Sequence, residues 1–395
     1  MIKAKGVIDV VGTLKSGGVD VWLDGGWGVD ALLGRQTRPH KDVDVVVSAG
    51  DVAKMRSILT GQSFIPIAGG CAANFVLEDK KGRRVDVHAA RFDKKGNGIY
   101  RMCNGRDWIY PAEGFSGLGS VSGTGVKCLS ARTQMLCHTG YELKEKDFCE
   151  MELLHQRFGV AYPKTGVSSR KKKPVKPGAV SLLVFDLDGT LLNSERANFE
   201  AVKMALADLK WKVRVTRAGV EKIMGESRDN FYRKLLLASL FSKREELRQK
   251  VHQYYPRAIA KYGRSFPGVL NTLKALKIRG YKLALYSYAW DGYVDAAVSV
   301  LGIGQYLDYV ESVQKNGLTK IELVKKIQKH FPGLKTAVIG DSIHDINAAR
   351  ARGAVSIGVR YGYGKKEMEA ADIKIDSFTE LLDIFDRRLL KSPKY

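Results

Sequence analysis

No uninterrupted apolar run in this sequence approaches the roughly 20 residues that a membrane-spanning helix requires, so no membrane span is expected. The opening stretch, Met1-Ile-Lys-Ala-Lys-Gly-Val-Ile-Asp, has no signal-peptide core, because Lys5 and Asp9 break it; the expectation is a cytoplasmic protein. Cysteine is scarce: Cys71, Cys103, Cys128, Cys137 and Cys149 are the only five, and none forms a Cys-x-x-Cys pair. That spacing argues against a zinc site, and the odd, scattered count points to free thiols in a reducing compartment. Acidic side chains are also short. The 42 Asp and Glu against 65 Lys and Arg leave a net charge of +23, more than half of it beyond residue 178. Such an excess can steer anionic substrates or nucleic acid, and it is also what a lysine-rich solvated surface looks like. No recognisable RNA- or DNA-binding module accompanies it. A nucleic-acid partner is therefore open but not favoured, and it would show itself as steeply salt-dependent binding.

What is present suffices for more than one domain. A chain of 395 residues exceeds one ordinary core, and 45% hydrophobic with 27% charged residues is a globular composition. Between Tyr162 and Gly178 lies a run rich in Pro, Gly, Ser and consecutive positive charges. It can bury little and reads as a linker, with a basic handle for nucleic acid or a targeting signal as the alternative. The expected division is 1–160, a basic linker 161–179, and 180–395 with a helical cap at about 195–265.

In the first part, Val21-Trp22-Leu23 reads as a strand entering Asp24-Gly25-Gly26-Trp27-Gly28, whose glycines let backbone amides approach a ligand. Arg35, Arg38, His40 and Lys41 follow in a polar loop. In Asp42-Val-Asp-Val-Val-Val47, period 2 puts Asp42 and Asp44 on one face of a strand. Two like charges side by side repel unless a divalent cation lies between them. Asp86, in the alternating strand Arg83-Arg-Val-Asp-Val-His88, is a third acid. Three carboxylates beside a glycine turn and a basic loop suit two-metal nucleotidyl transfer. The pair Asp42 and Asp44 alone could equally face solvent on an edge strand. The run Trp22-Leu-Asp-Gly-Gly-Trp-Gly-Val-Asp-Ala-Leu-Leu-Gly-Arg-Gln-Thr-Arg-Pro-His-Lys-Asp-Val-Asp44 resembles the lincosamide and aminoglycoside nucleotidyltransferases of the DNA-polymerase-β-like superfamily. The resemblance implies an α+β domain in which Asp42, Asp44 and Asp86 bind metal and Asp86 is the general base. It also implies Gly25, Gly26, Arg38 and Lys41 on a nucleoside triphosphate, ATP being the expected one. Gly26-Trp27 stands where the broad superfamily has Gly-Ser, which narrows the match to the antibiotic-modifying branch. His138 reads either as a substrate contact or as a structural histidine.

In the second part, the apolar Ser181–Phe185 reads as a buried strand ending in Asp186 and Asp188, with Gly189 and Thr190 turning the chain. In an open parallel sheet, ligands bind beyond that end of the strand. Helical spacing from 195 to about 262 gives a mostly helical insert. Alternating strands and helices from Phe266 to Val359 give a doubly wound sheet. Ser287, Lys320 and the pair Asp341 and Asp345 stand at strand ends or nearby loops. This resembles the haloacid-dehalogenase-like phosphohydrolases, in the phosphoglycolate-phosphatase-like branch, whose small cap the helical insert looks like. The resemblance implies Asp186 as nucleophile and Asp188 as acid and base. It implies Mg²⁺ on Asp186, the carbonyl of Asp188, and Asp341, with Asp345 supporting the metal or Lys320. Ser287 and Lys320 would grip the phosphoryl group of a small phosphorylated substrate. Tyr288 stands where Asn is frequent and Ile321 where Pro is frequent. Gly362-Tyr-Gly364 reads as a turn or a phosphate loop. The joint expectation is a bifunctional Mg²⁺-dependent enzyme; the alternative is a phosphatase whose first part only binds nucleotide or a partner.

Overall fold

In the computed structural model, the described residues are 1–386 without 68, 140, 164–179, 225–227, 237, 313–317 and 365. The proposed linker 161–179 lies almost wholly outside them. By contacts the chain forms two units: Met1–Tyr141 with Val160–Gly166, and Glu142–Gly159 with Val167–Tyr395. No described helix is long and apolar enough to cross a membrane.

The first unit contains helices α1 (Ala4–Ser16), α2 (Gly25–Leu33), α3 (Val52–Gly61) and α4 (Ala131–Cys137). Its strands are β1 (Val21–Asp24), β2 (Val43–Ser48), β3 (Ile65–Pro66), β4 (Asn74–Glu78), β5 (Arg84–Phe92), β6 (Gly98–Arg101), β7 (Asp107–Tyr110), β8 (Gly117–Val121) and β9 (Thr124–Cys128). They form one sheet in the order β3-β4-β5-β2-β1-β9-β8, with β6 paired to β5 and β7 to β6. Val43, Val45, Val47, Val85 and Val87 alternate into a core against α1 and α3. The register sets the functional residues: Asp24 pairs with Asp44 across β1 and β2, and Asp44 with Asp86 across β2 and β5. The glycine stretch expected as a turn is instead the first turn of α2, with the Asp24 side chain accepting from the Gly25 N–H.

The second unit opens with α5 (Glu145–Phe158), a helix the sequence division assigned to the first domain and whose contacts lie here. Then follow β10 (Leu182–Asp186), β11 (Leu192–Asn193), α6 (Glu195–Asp208), α7 (Arg217–Glu221), α8 (Arg228–Leu235), α9 (Arg244–Tyr262), β12 (Arg264–Ser265) and α10 (Val269–Ile278). The chain continues through β13 (Lys282–Ser287), α11 (Asp291–Leu301), β14 (Tyr309–Ser312), α12 (Lys320–His330), β15 (Thr336–Gly340), α13 (Ile343–Ala351), β16 (Val355–Val359), β17 (Ile373–Ile375) and α14 (Leu381–Ile384). Six strands lie in the order β14-β13-β10-β15-β16-β17, and every pairing is parallel. β10, β15 and β16 are buried at every position, as central parallel strands covered on both faces must be. The order reverses around β10, so its C-terminal end opens a crevice. The β11–β12 pair closes the base of the helical insert α6–α9.

The cysteines depart from the expectation of free thiols. Cys71 and Cys103, 32 residues apart, form a disulfide with Cα atoms 5.6 Å apart, while Cys128, Cys137 and Cys149 are free. Spacing could not reveal the pair. The β4–β5–β6–β7 pairings bring the loops before β4 and after β6 together.

Candidate active sites

In the second unit, three parallel strands deliver Asp186, Ser287 and Asp341 to one sheet edge. Thr319 and Glu322 form a reciprocal capping box that starts α12 at Lys320. Ser342 and Asp345 do the same for α13, so Asp345 is fixed by donors from the Ser342 N–H (2.9 Å) and hydroxyl (2.6 Å). The Lys320 Nζ then lies 2.9 Å from Asp186 Oδ1 and 2.6 Å from Asp345 Oδ1. The Tyr286 hydroxyl also donates to Asp345. The ammonium sits over the rings of Tyr286 and Tyr288, 5.2 and 5.3 Å from their centroids.

Asp186, Asp341 and Asp345 are buried and offer oxygens within 4.8 Å of one another. One lysine cannot offset three such charges. Burial first, then Asp345 and Asp341, hold the Asp186 carboxyl well above the usual range despite Lys320. Burial and Asp345 push Asp341 up to about 7. Gly189 (φ +78°) and Gly362 leave the space beside Asp341 open: a Cβ at Gly189 would meet Asp341 Oδ2 at 2.0 Å, and one at Gly362 its Cβ at 2.4 Å. The crowding, the all-oxygen donor set and this cradle fit a divalent cation of the Mg²⁺ type. Gly362-Tyr-Gly364 packs on this acid, with the Tyr363 N–H donating to Asp341 at 2.7 Å. Asp188 stands apart from the three-acid group. It accepts from the Tyr293 hydroxyl, and burial raises its pKa against the Ser194 and Tyr293 hydrogen bonds. Ser287 is buried, its Oγ accepting from the Ala289 N–H at 3.0 Å.

In the first unit, the cross-strand row brings Asp24, Asp44 and Asp86 side by side. His88, two residues along the same strand face from Asp86, lies over them: Nδ1 is 3.5 Å from Asp24 and Nε2 is 3.7 Å from Asp86. Asp44, Asp86 and His88 present ligand atoms within 4.8 Å of one another. Asp42 precedes β2 and lies outside that set, though its charge acts on both Asp44 and Asp86. Burial, opposed by His88 and reinforced by Asp42 and Asp24, pushes Asp44 up to about 8. Burial works against a charged His88, but Asp24, Asp44 and Asp86 push it up to about 9. Burial would raise Asp24; hydrogen bonds from His88 and the Gly25 N–H hold it below the usual range. Asn74 donates to Asp86 at 3.1 Å. Two acids of raised pKa beside an imidazole again fit a divalent cation.

Gly25 has φ +54°, and a Cβ there would stand 2.3 Å from Asp44 Oδ2. A Cβ on Gly26 would meet His40 at 2.3 Å and the Arg38 guanidinium at 2.8 Å. The basic loop is thus brought against the α2 N-terminus, while Lys41 stays exposed. Asp30 shapes that loop: it meets His40 Nε2 at 2.5 Å and accepts from the Thr37 N–H and hydroxyl at 3.0 and 2.6 Å. His138 is buried, with Nδ1 3.0 Å from the Tyr141 hydroxyl. Sequence reasoning missed Asp24, Asn74 and His88 as members of this site. The alternation Asp86-Val87-His88 was the available signal for His88.

Two family models match the chain: aminoglycoside-2''-adenylyltransferase over residues 6–154, and haloacid dehalogenase-like hydrolase over 183–359. A lincosamide resistance protein of Staphylococcus haemolyticus is 28% identical over 136 residues, 34% of this chain and 84% of its own. A phosphoglycolate phosphatase of Vibrio vulnificus (strain YJ016) is 31% identical over 219 residues, 52% of this chain and 96% of its own. Among solved structures, a lincosamide antibiotic adenylyltransferase bound to lincomycin is 25% identical, with a TM-score of 0.36 over 39% of this chain and 96% of its own.

Proposed function

We propose, for a chain that belongs to the haloacid dehalogenase-like hydrolases through residues 183–359 and carries an aminoglycoside-2''-adenylyltransferase-like unit over 6–154, a bifunctional enzyme. One half moves a nucleoside monophosphate from a triphosphate, ATP in this reading, to a hydroxyl of a lincosamide- or aminoglycoside-like small molecule. The other hydrolyses a small phosphomonoester of the phosphoglycolate class. The sequence division we keep is 1–160 and 180–395 with 161–179 as the joint, except that residues 142–159 group by contacts with the second part. The observation that carries the reading is the same in each half: crowded carboxylates, among which Asp44 and Asp86 in one and Asp186 and Asp341 in the other have raised pKa values, beside too little protein positive charge. A cytoplasmic setting follows from the need for nucleoside triphosphate.

In the hydrolase, Asp186 attacks phosphorus and forms an aspartyl phosphate while Asp188 gives its proton to the departing oxygen. The raised pKa of Asp188 suits the protonated state that this step needs. Asp188 then takes a proton from water, which attacks the aspartyl phosphate and regenerates Asp186. Lys320 and Ser287 hold the phosphoryl oxygens, Lys320 being kept charged by Asp186 and Asp345. Asp186, Asp341 and Asp345 would hold Mg²⁺, which when bound neutralises the phosphoryl charge facing an anionic nucleophile. In the transferase, Asp86, oriented by Asn74, accepts the acceptor's hydroxyl proton. Arg38, Lys41 and the amide of Gly26 receive the triphosphate, with Gly25 leaving room for it beside Asp44. Asp44 and Asp86 would hold the cation there, with Asp42 adding negative charge beside them.

The test supplies the whole chain with Mg²⁺, an aryl phosphate, and α-labelled ATP with a panel of lincosamides and aminoglycosides. Label transfer and phosphate release, both abolished by chelator, are expected. Hydrolysis without transfer to any acceptor would remove the first half of the proposal; chelator-resistant activity would remove the metal from both.

A further inference from the structure

Most of helix α5, up to residue 154, lies inside the stretch matched by the transferase family, and all of it lies ahead of the stretch matched by the hydrolase family, yet it packs against the hydrolase machinery. The residues it uses, Glu145, Cys149, Glu152 and Gln156, follow one another at the spacing of a single helical face. Glu145 pairs with Lys325 on α12 at 2.9 Å and with Arg352 beyond α13. The Cys149 Sγ lies 3.7 Å from the Thr319 hydroxyl, the cap of α12. Glu152 is 0% exposed, and its Oε1 accepts from the backbone N–H of Lys320 at 3.0 Å. Gln156 donates to the Tyr288 hydroxyl at 2.7 Å, and that hydroxyl is 3.3 Å from the same Lys320 N–H.

This arrangement answers a question α12 leaves open. A helix has four N–H groups without intrahelical partners in its first turn. The capping box serves Thr319 and Glu322, and Lys320 is left for an acceptor from elsewhere. A carboxyl group buried completely is costly unless its hydrogen bonds are made. Glu152 makes one to Lys320 and one, at 3.3 Å, from Gln156, while its Oε2 has no partner among the described residues. Gln156 meanwhile anchors Tyr288, whose ring faces the Lys320 ammonium. The unusual tyrosine after Ser287 thereby acquires a purpose: it connects α5 to the phosphate-gripping lysine.

We propose that α5 is a working part of the phosphatase, in which Glu152 and Gln156 are positioning residues that set the backbone of Lys320 and the ring of Tyr288. The phosphatase unit then begins at residue 142, and the transferase-like stretch cannot be cut away at residue 160 without disturbing it. The inference rests on the phosphatase reading of Asp186 and Lys320. Its test is Mg²⁺-dependent aryl phosphate hydrolysis by the full chain and its Glu152→Leu, Glu152→Gln and Gln156→Leu variants, each checked for cooperative thermal unfolding. Glu152→Leu should lower kcat at least tenfold with KM changed less than threefold, because Lys320 acts on the transition state. Glu152→Gln keeps an Oε1 acceptor and should stay within threefold of the parent. Gln156→Leu should lower kcat at least threefold, and it decides the matter if Glu152→Leu does not fold. Parent-like kcat in both leucine variants, or equal losses in Glu152→Gln and Glu152→Leu, would overturn the positioning role. A parent chain that hydrolyses no phosphomonoester would instead overturn the phosphatase reading itself.

Discussion

Lys320 occupies the most constrained position in the second unit. It is buried, its ammonium lies between Asp186 and Asp345, and two tyrosine rings flank it. Burial opposes its charge, but the two aspartates hold its pKa above the usual lysine range. Replacing it with methionine removes a charge aimed at the transferring phosphoryl group. Losing one such preorganised contact typically costs about 100-fold or more in kcat. Lys320→Met should therefore show at least that loss in steady-state aryl phosphate hydrolysis; near-parental kcat would exclude the assigned role. Glu152 makes a second residue-scale prediction. Burial pushes its carboxyl up to about 8, against an ordinary value near 4.5. Its protonated form is favoured by folding, so its contribution to stability is complete below about pH 4.5 and is lost as pH rises through about 8. The melting temperature of the parent chain should fall more steeply over that window than that of Glu152→Gln. Parallel curves would contradict the buried, protonated carboxyl.

Elements, not isolated residues, make the first site. Asp24, Asp44 and Asp86 belong to three different strands and meet only because β1 pairs with β2 and β2 with β5 in that register. A one-residue slip would turn each acid to the opposite face. The start of α2 is part of the same construction, since Gly25 combines a positive φ with close approach to Asp44. Gly25→Ala should displace either the helix start or Asp44. We expect nucleotidyl transfer to fall by about 100-fold, the scale set by a small misplacement of reacting groups, while aryl phosphate hydrolysis is unchanged. Retained transfer would show that the close approach is not needed. The legibility of the sequence divides along this line. Asp186, Asp188 and Asp341 could be read because each stands at or just past the end of an apolar strand in a local motif. Asp44 and Asp86 stand on alternating strands that period 2 made legible, whereas Asp42, put on the same face by that period, precedes β2 and lies outside the converging set. Asp24, Asn74 and the Cys71–Cys103 pair could not, because cross-strand pairing and loop proximity leave no mark in local spacing. Helix α5 precedes the joint in sequence, and the surface it covers left no mark in local spacing either.

At the scale of the whole molecule, each contact-defined unit holds an acid-rich centre among its described residues, within a protein of net charge +23. A net positive charge of this size favours the approach of nucleotides and phosphomonoesters. Each centre is expected to carry its own reaction without the other. The most direct measurement assays both reactions in full-length Asp44→Asn and Asp186→Asn chains, with Mg²⁺ present. The prediction is a crossed result: Asp44→Asn loses nucleotidyl transfer and keeps phosphate release, and Asp186→Asn does the reverse. Loss of both reactions in either folded variant, or of neither, would contradict it.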